Sequence, residues 1–252
     1  MTAIAIIMLG FFLGMRHATD PDHVIAVTTI VSRQRSVRHA AWIGVLWGCG
    51  HTLTIFLVGS AIILFGVVIP PRLGLTMELS VGLMLILLGI LNLWGPPSLR
   101  FGASAGSPHS HGASAEFPPS HGHTENATPV SWMDRQFKNL GVYQTIRPLV
   151  VGIVHGLAGS AAVALLVLTT IRNPYWAIVY LLVFGIGTVA GMMTITAAIA
   201  LPFTYSSAHF SRINRGMGIA SGLISVGFGL FIVYQMGYVN GILTSHPSWT
   251  PH

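Results

Sequence analysis

An all-α, polytopic transmembrane helical bundle of about six spans, built as a 3+3 inverted repeat with a broken first helix, is the fold the sequence predicts. Three observations carry that reading. Of 252 residues, 52% are apolar and only 7% charged, against roughly 25% charged in a soluble domain. Apolar runs of about 20 residues or more, long enough to cross a bilayer, recur along the chain. Glycine and histidine motifs of the first half return in the second at near-constant spacing.

The runs lie at about 3–31, 40–69, 75–95, 147–171, 175–203 and 215–238. No basic region, short apolar region and cleavage site precede the first one, so it is expected to stay in the mature protein. Residues 96–146, rich in Gly, Ser, Pro and His, have a linker's composition. The chain therefore reads as a three-helix repeat at 1–95, a linker at 96–146 and a second three-helix repeat at 147–252. A short interfacial helix is expected around Trp132 to Leu140, before the fourth span.

Charge fixes an orientation. Arg33, Arg35, Arg38, Arg100, Arg135, Lys138, Arg147, Arg212 and Arg215 fall on one side of the expected spans, and only Arg72 and Arg172 on the other. The positive-inside rule then puts the linker in the cytoplasm and both termini outside. A net charge of +6 is thus topological, and no nucleic-acid partner is expected. Cys49 is the single cysteine, which excludes an intramolecular disulfide, a CxxC redox pair and a cysteine-built zinc knuckle.

The repeat rests on particular matches. GMRH ending at His17 returns as GIVH ending at His155; Gly48 and Gly50 return as Gly185 and Gly187; Gly82 and Gly89 return as Gly222 and Gly229. The offsets are 138, 137 and 140 residues. With an odd number of spans in each half, the second half runs inverted, an architecture used by transporters with a site near the midplane. The competing reading is an unrelated six-helix bundle with glycine-mediated packing.

The first run holds Arg16, His17, Asp20, Asp22 and His23 near its middle. Ionisable groups at that depth cost several kcal/mol each, by order of magnitude, unless paired or hydrated, so they indicate function. If the helix instead ended near His17, the apolar VIAVTTIV at 24–31 would be left without a span. Pro21 cannot donate to the carbonyl of His17 four residues earlier, so a break is expected at Ala18 to Asp22 that turns Asp22 toward the histidines. Two imidazoles with one or two carboxylates suit a first-row divalent ion, whereas Mg and Ca prefer oxygen shells.

His17, Asp22 and His23 are the primary ligand candidates, with Asp20 ligating or positioning and Arg16 balancing charge. His51, beside Gly50, and His155, the repeat mate of His17, either complete the ligand set or serve packing and hydrogen bonding. Asn92 and Gln235, near the ends of spans three and six, are adequately explained by interfacial placement. In the linker, His109, His111, His121 and His123 form two HxH pairs, read as a cytoplasmic metal buffer or as a solvated linker.

HATDPDH, with His17 followed after four residues by Asp22 and His23, resembles the signature of the nickel/cobalt transporter (NiCoT) family. LGMRH before it and GHTLTIF around His51 are similar to that family's histidine-bearing helices. The six-span size, HGLAGSAA in span four and the His-containing loop most resemble its shorter branch of urease-accessory and nickel-permease-like membrane proteins. The resemblance implies a permease in a bacterial or archaeal inner membrane, with Ni(II) or Co(II) as transported substrate and no cofactor. It implies His17, Asp22 and His23 as signature residues and His51 as a further binding residue. Expected partners are the transition-metal ion, the bilayer, and a cytoplasmic metallochaperone or urease or hydrogenase assembly proteins. Export, a metal-dependent membrane enzyme, and metal delivery without translocation are the alternatives.

Overall fold

The computed structural model describes residues 3–66, 70–94, 142–156, 171 and 173–240. Among them are seven α-helices and no strand: α1 (Ala3–His17), α2 (Pro21–Val31), α3 (Val37–Phe65), α4 (Pro71–Trp94), α5 (Val142–Gly156), α6 (Pro174–His209) and α7 (Ser211–Tyr234). A π-helical turn, Gln235–Val239, follows α7. The protein is an all-α, multi-pass membrane protein: α3, α4, α6 and the α7 region are each long and apolar enough to cross a bilayer, and the bent pair α1–α2 makes a fifth candidate. The expected fourth span is described only as far as Gly156, so the count of six falls partly outside the described residues. The four linker histidines and the expected interfacial helix lie outside them too.

The break in the first run is where proline demands it. Helix α1 stops at His17, and α2 restarts with Pro21 as its first residue, bent by 55°. Asp20 is extended at φ −60° and ψ 145°, as the residue before proline prefers. The carbonyl of His17 is not left open: it accepts the N–H of Asp20 at 3.1 Å, while that of Arg16 accepts Thr19 at 2.8 Å. Bonds within the turn thus occupy the carbonyls of Arg16 and His17, as the scarcity of water inside a membrane favours.

The other ends are set by ordinary capping chemistry. Ser36 accepts the N–H of His39 with its hydroxyl at the start of α3, and Gly66, at φ 63°, closes it in the left-handed conformation that glycine adopts without strain. Asn173 caps α6, accepting from Tyr175 at 2.9 Å, with Pro174 at the first helical position. At 1.5 Å per residue, the 36 residues of α6 extend about 54 Å, well beyond a hydrocarbon core of about 30 Å.

Packing runs opposite to a soluble protein's. Leu57, Leu83, Ile186 and Leu223 face outward, while His23, His51, Thr188 and Ser225 are buried. Helices meet where glycine removes a side chain. Gly14 lies against the backbone of Phe184 and Thr188, and Gly187 against that of Phe11, joining α1 to α6. Gly152 lies against the backbone of Trp47 and His51, and Gly50 against that of Leu149, joining α5 to α3. Gly82 meets Gly229, and Gly89 meets Gly222, between α4 and α7. Hydroxyls reinforce these seams: Thr54 donates to the carbonyl of Ile153 at 3.2 Å and Ser225 to that of Leu85 at 2.8 Å.

Asn92, in the last turn of α4, is a buried junction. Its side-chain carbonyl accepts Arg33 Nε at 2.9 Å, and its amide donates to the carbonyl of Gly218 at 2.9 Å and to Ser221 Oγ at 3.2 Å. One amide so ties the segment after α2 to α4 and α7.

A methyl at Gly50 would overlap backbone, whereas one at Gly227 meets nothing within 4 Å. Gly50→Val is expected to destabilise the protein by about 1–3 kcal/mol, the usual range for overpacking, and Gly227→Ala to leave it unchanged. Heating followed by fluorescence-detected size exclusion reads the difference.

Candidate metal centre

The helix break gathers side chains that a continuous helix would spread. His17 is the last residue of α1, Asp20 caps α2, and Asp22 and His23 lie in the first turn of α2. Because α1 is seated on α6, the His17 ring stands 5.5 Å from that of Phe184. His51 arrives from the middle of α3, and His155 from near the end of α5, which the contact of Gly156 with the His51 backbone brings close.

The four imidazoles converge. The His23 ring is 4.8 Å from His17, 4.9 Å from His51 and 4.3 Å from His155 by centroid. His17 is 6% exposed and the other three are 0% exposed. Three of these imidazoles find carboxylate partners, and His51 bonds to His17 instead. Asp20 accepts His17 Nδ1 at 2.7 Å. Asp22 accepts His23 Nδ1 at 3.0 Å with one oxygen and His155 Nε2 at 3.0 Å with the other.

These bonds set the tautomers. A carboxylate accepts only, so His17 Nδ1, His23 Nδ1 and His155 Nε2 carry the protons, and the opposite nitrogen of each neutral ring keeps a lone pair. Among the described residues, His23 Nε2, His155 Nδ1 and His51 Nδ1 have no hydrogen-bond partner. His17 Nε2 faces His51 Nε2 at 2.9 Å. With the lone pair on His17, His51 donates; moving that proton to the unpartnered Nδ1 of His51 would turn both facing nitrogens into donors for a cation.

Such a set fits a transition-metal ion. One donor atom from each of His17, His23 and His51 lies within 4.8 Å of the others, and the same holds for Asp22, His23 and His155. Imidazole nitrogens about 2.1 Å from a shared ion in a tetrahedral shell stand about 3.4 Å apart, so shifts of about an ångström close the shell. Carboxylates that hold a ligating imidazole by its other nitrogen fix its orientation and raise its basicity.

The structure therefore brings together His17, Asp20, Asp22, His23, His51 and His155. Arg16, one residue before His17, takes part in no ion pair among the described residues. Sequence reasoning missed Trp47: its indole stacks on His23 at 5.9 Å, stands edge-on to His155 at 5.4 Å, and buries an unpartnered N–H. Its place four residues before His51, on the same face of α3, was the available signal.

No family model and no solved structure matches the chain. Among curated proteins, the urease accessory protein UreH of Bacillus sp. (strain TB-90) is 36% identical over 239 residues, 95% of each chain. The chloroplast proteins FOR GROWTH AND FERTILITY 1 and 2 of Arabidopsis thaliana are each 26% identical over 89% of this chain, which spans 57% and 55% of their lengths.

Asp22, 15% exposed, serves two fully buried rings, while Asp20, 35% exposed, serves one. Asp22→Ala strands two buried N–H groups at about 1–3 kcal/mol each. In metal-free protein it is expected to lower the melting temperature more than Asp20→Ala does; equal shifts would contradict the bridging role.

Proposed function

The chain belongs to the family of the urease accessory protein UreH, and from that premise we propose that it is a permease, not an enzyme, moving Ni(II) or Co(II) across the inner membrane through the His17–His23–His51 pocket. The reading places it within the nickel/cobalt transporter family, whose signature HATDPDH resembles. The observation that carries it is the set of buried imidazoles with donor atoms within 4.8 Å of one another, in which Asp20 and Asp22 hold one nitrogen of His17 and of His23 while His23 Nε2 and His51 Nδ1 have no partner. A structural cluster would use both nitrogens of each ring; an ion-binding one leaves lone pairs free. Ionisable groups in membrane helices mark ion pathways by default.

Helix packing supports the 3+3 inverted repeat that a permease needs. Shifting Gly14, Phe184 and Thr188 by the repeat offsets gives Gly152, Trp47 and His51, and the same backbone contact occurs in both sets. The contact of Gly187 with Phe11 likewise maps onto that of Gly50 with Leu149. Between α4 and α7 the repeat exchanges the Gly82–Gly229 and Gly89–Gly222 contacts with one another. On this reading α1–α6 and α5–α3 are two copies of one helix pair, with the His/Asp centre where they meet.

Uptake follows from energetics. A dication moving inward gains about 4.6 kcal/mol per 100 mV of inside-negative potential, at about 2.3 per charge. The excess of basic residues on one side supports a cytoplasmic linker, whose histidines would receive or buffer the ion. A second reading, metal delivery to an enzyme assembly complex without translocation, is favoured by the name of the Bacillus relative; assembly proteins would then be its partners.

Radiolabelled nickel accumulation in sealed proteoliposomes separates the two. Wild type and a variant lacking His109, His111, His121 and His123 are expected to accumulate nickel, with cobalt competing, and His17→Ala to fall to the level of empty vesicles. Binding without accumulation by wild type would overturn the permease in favour of delivery.

A further inference from the structure

His23 takes part in two groups of donors at once. Its Nε2, buried and unpartnered, is on offer to the first group with His17 and His51. Its Nδ1 is held at 3.0 Å by Asp22, whose other oxygen holds His155 Nε2 at 3.0 Å, and these three residues form the second group. His17 and His155 are repeat mates by the sequence offset of 138. They flank the same ring, with centroids 4.8 Å and 4.3 Å away.

Resting on the permease reading above, we propose that the ion occupies two overlapping positions in turn, one among His17, His23 and His51 and the other among Asp22, His23 and His155, with His23 as the ligand common to both. A neutral imidazole has one lone pair, so His23 serves one position at a time. With its proton on Nδ1, bonded to Asp22, the first position is open. For the ion to enter the second, the His23 proton moves to Nε2 and the His155 proton to Nδ1, both unpartnered in this structure. Asp22 exchanges two N–H bonds for a bond to the ion. No proton is gained or lost, and the ion passes from an imidazole-rich shell contributed by the first half to one that includes the second half's histidine. Trp47, stacked on His23 and edge-on to His155, walls both positions, so the ion is handed across without meeting bulk water.

The test uses the chain with His109, His111, His121 and His123 replaced by alanine, so that the linker binds no ion, as the wild-type reference and the background for every variant. It is studied in lipid nanodiscs and sealed vesicles with Co(II) as the probe, because the visible absorption of Co(II) reports its ligands. Wild type is expected to bind one Co(II) per chain. His51→Ala should retain one Co(II), with an absorption spectrum altered toward a carboxylate-containing shell. His155→Gln, whose amide still reaches Asp22 and keeps the packing, should retain one Co(II) with the wild-type imidazole-rich spectrum yet transport at least about tenfold more slowly. His23→Ala should lose both binding and transport. Two Co(II) per wild-type chain, no binding by His51→Ala, or wild-type transport by His155→Gln would each overturn the hand-over while leaving the permease in place. Wild type that neither binds nor moves Co(II) or Ni(II) would instead overturn the permease reading itself.

Discussion

Everything at the centre depends on one covalent constraint, the missing N–H of Pro21. A helix running through residues 3–31 would have to bond that nitrogen to the His17 carbonyl, and proline cannot. The chain answers with a turn that bonds the His17 carbonyl to Asp20, and with a 55° bend. The bend puts the end of one helix and the start of another at the same depth. On a straight helix His17, Asp20 and His23 would fall within an arc of about 120° while Asp22 pointed away; with the break, Asp22 joins them by holding His23. The same proline provides the start of α2, so it both ends one half-helix and begins the next.

A broken helix is tolerated in a membrane where it is buried in protein or lines a cavity, and glycine lets neighbouring helices approach this one closely. Gly14 and Gly187 let α1 lie on α6, and Gly50, Gly152 and Gly156 let α5 lie on α3. The second of these seams carries His155 to Asp22. Asp22 thereby joins α2 to α5 through a single carboxylate, and the electrostatic demand of the two buried imidazoles ties the break to the other half of the chain. Asn92 does comparable work at another place, fastening the residues after α2 to α4 and α7.

Much of this was legible in the sequence because each signal is local. Composition and run length identify membrane helices, Pro21 marks the break, and five ionisable residues within eight positions mark the centre. The repeat offsets pointed to His155 as a partner for the first half, and it does lie beside Asp22. Contacts made across the bundle were not legible. Nothing in the spacing of Asp22 says that it bridges His23 and His155, because that depends on how closely α5 approaches α3. Asn92 reads as an end-of-helix residue until α7 is seen to place Gly218 and Ser221 against it. The length of α6 also exceeds its apolar run at 175–203, since Thr204 to His209 carry no helix breaker and continue the helix to His209.

The central claim is that buried imidazoles, oriented by Asp20 and Asp22, hold the transported ion. X-ray absorption at the nickel edge of the nickel-loaded protein, with His109, His111, His121 and His123 replaced by alanine in wild type and variant alike, tests it most directly. The account predicts an imidazole-containing shell in wild type whose histidine scattering disappears in His23→Ala. An oxygen-only shell, or an imidazole shell that persists unchanged in His23→Ala, would contradict it.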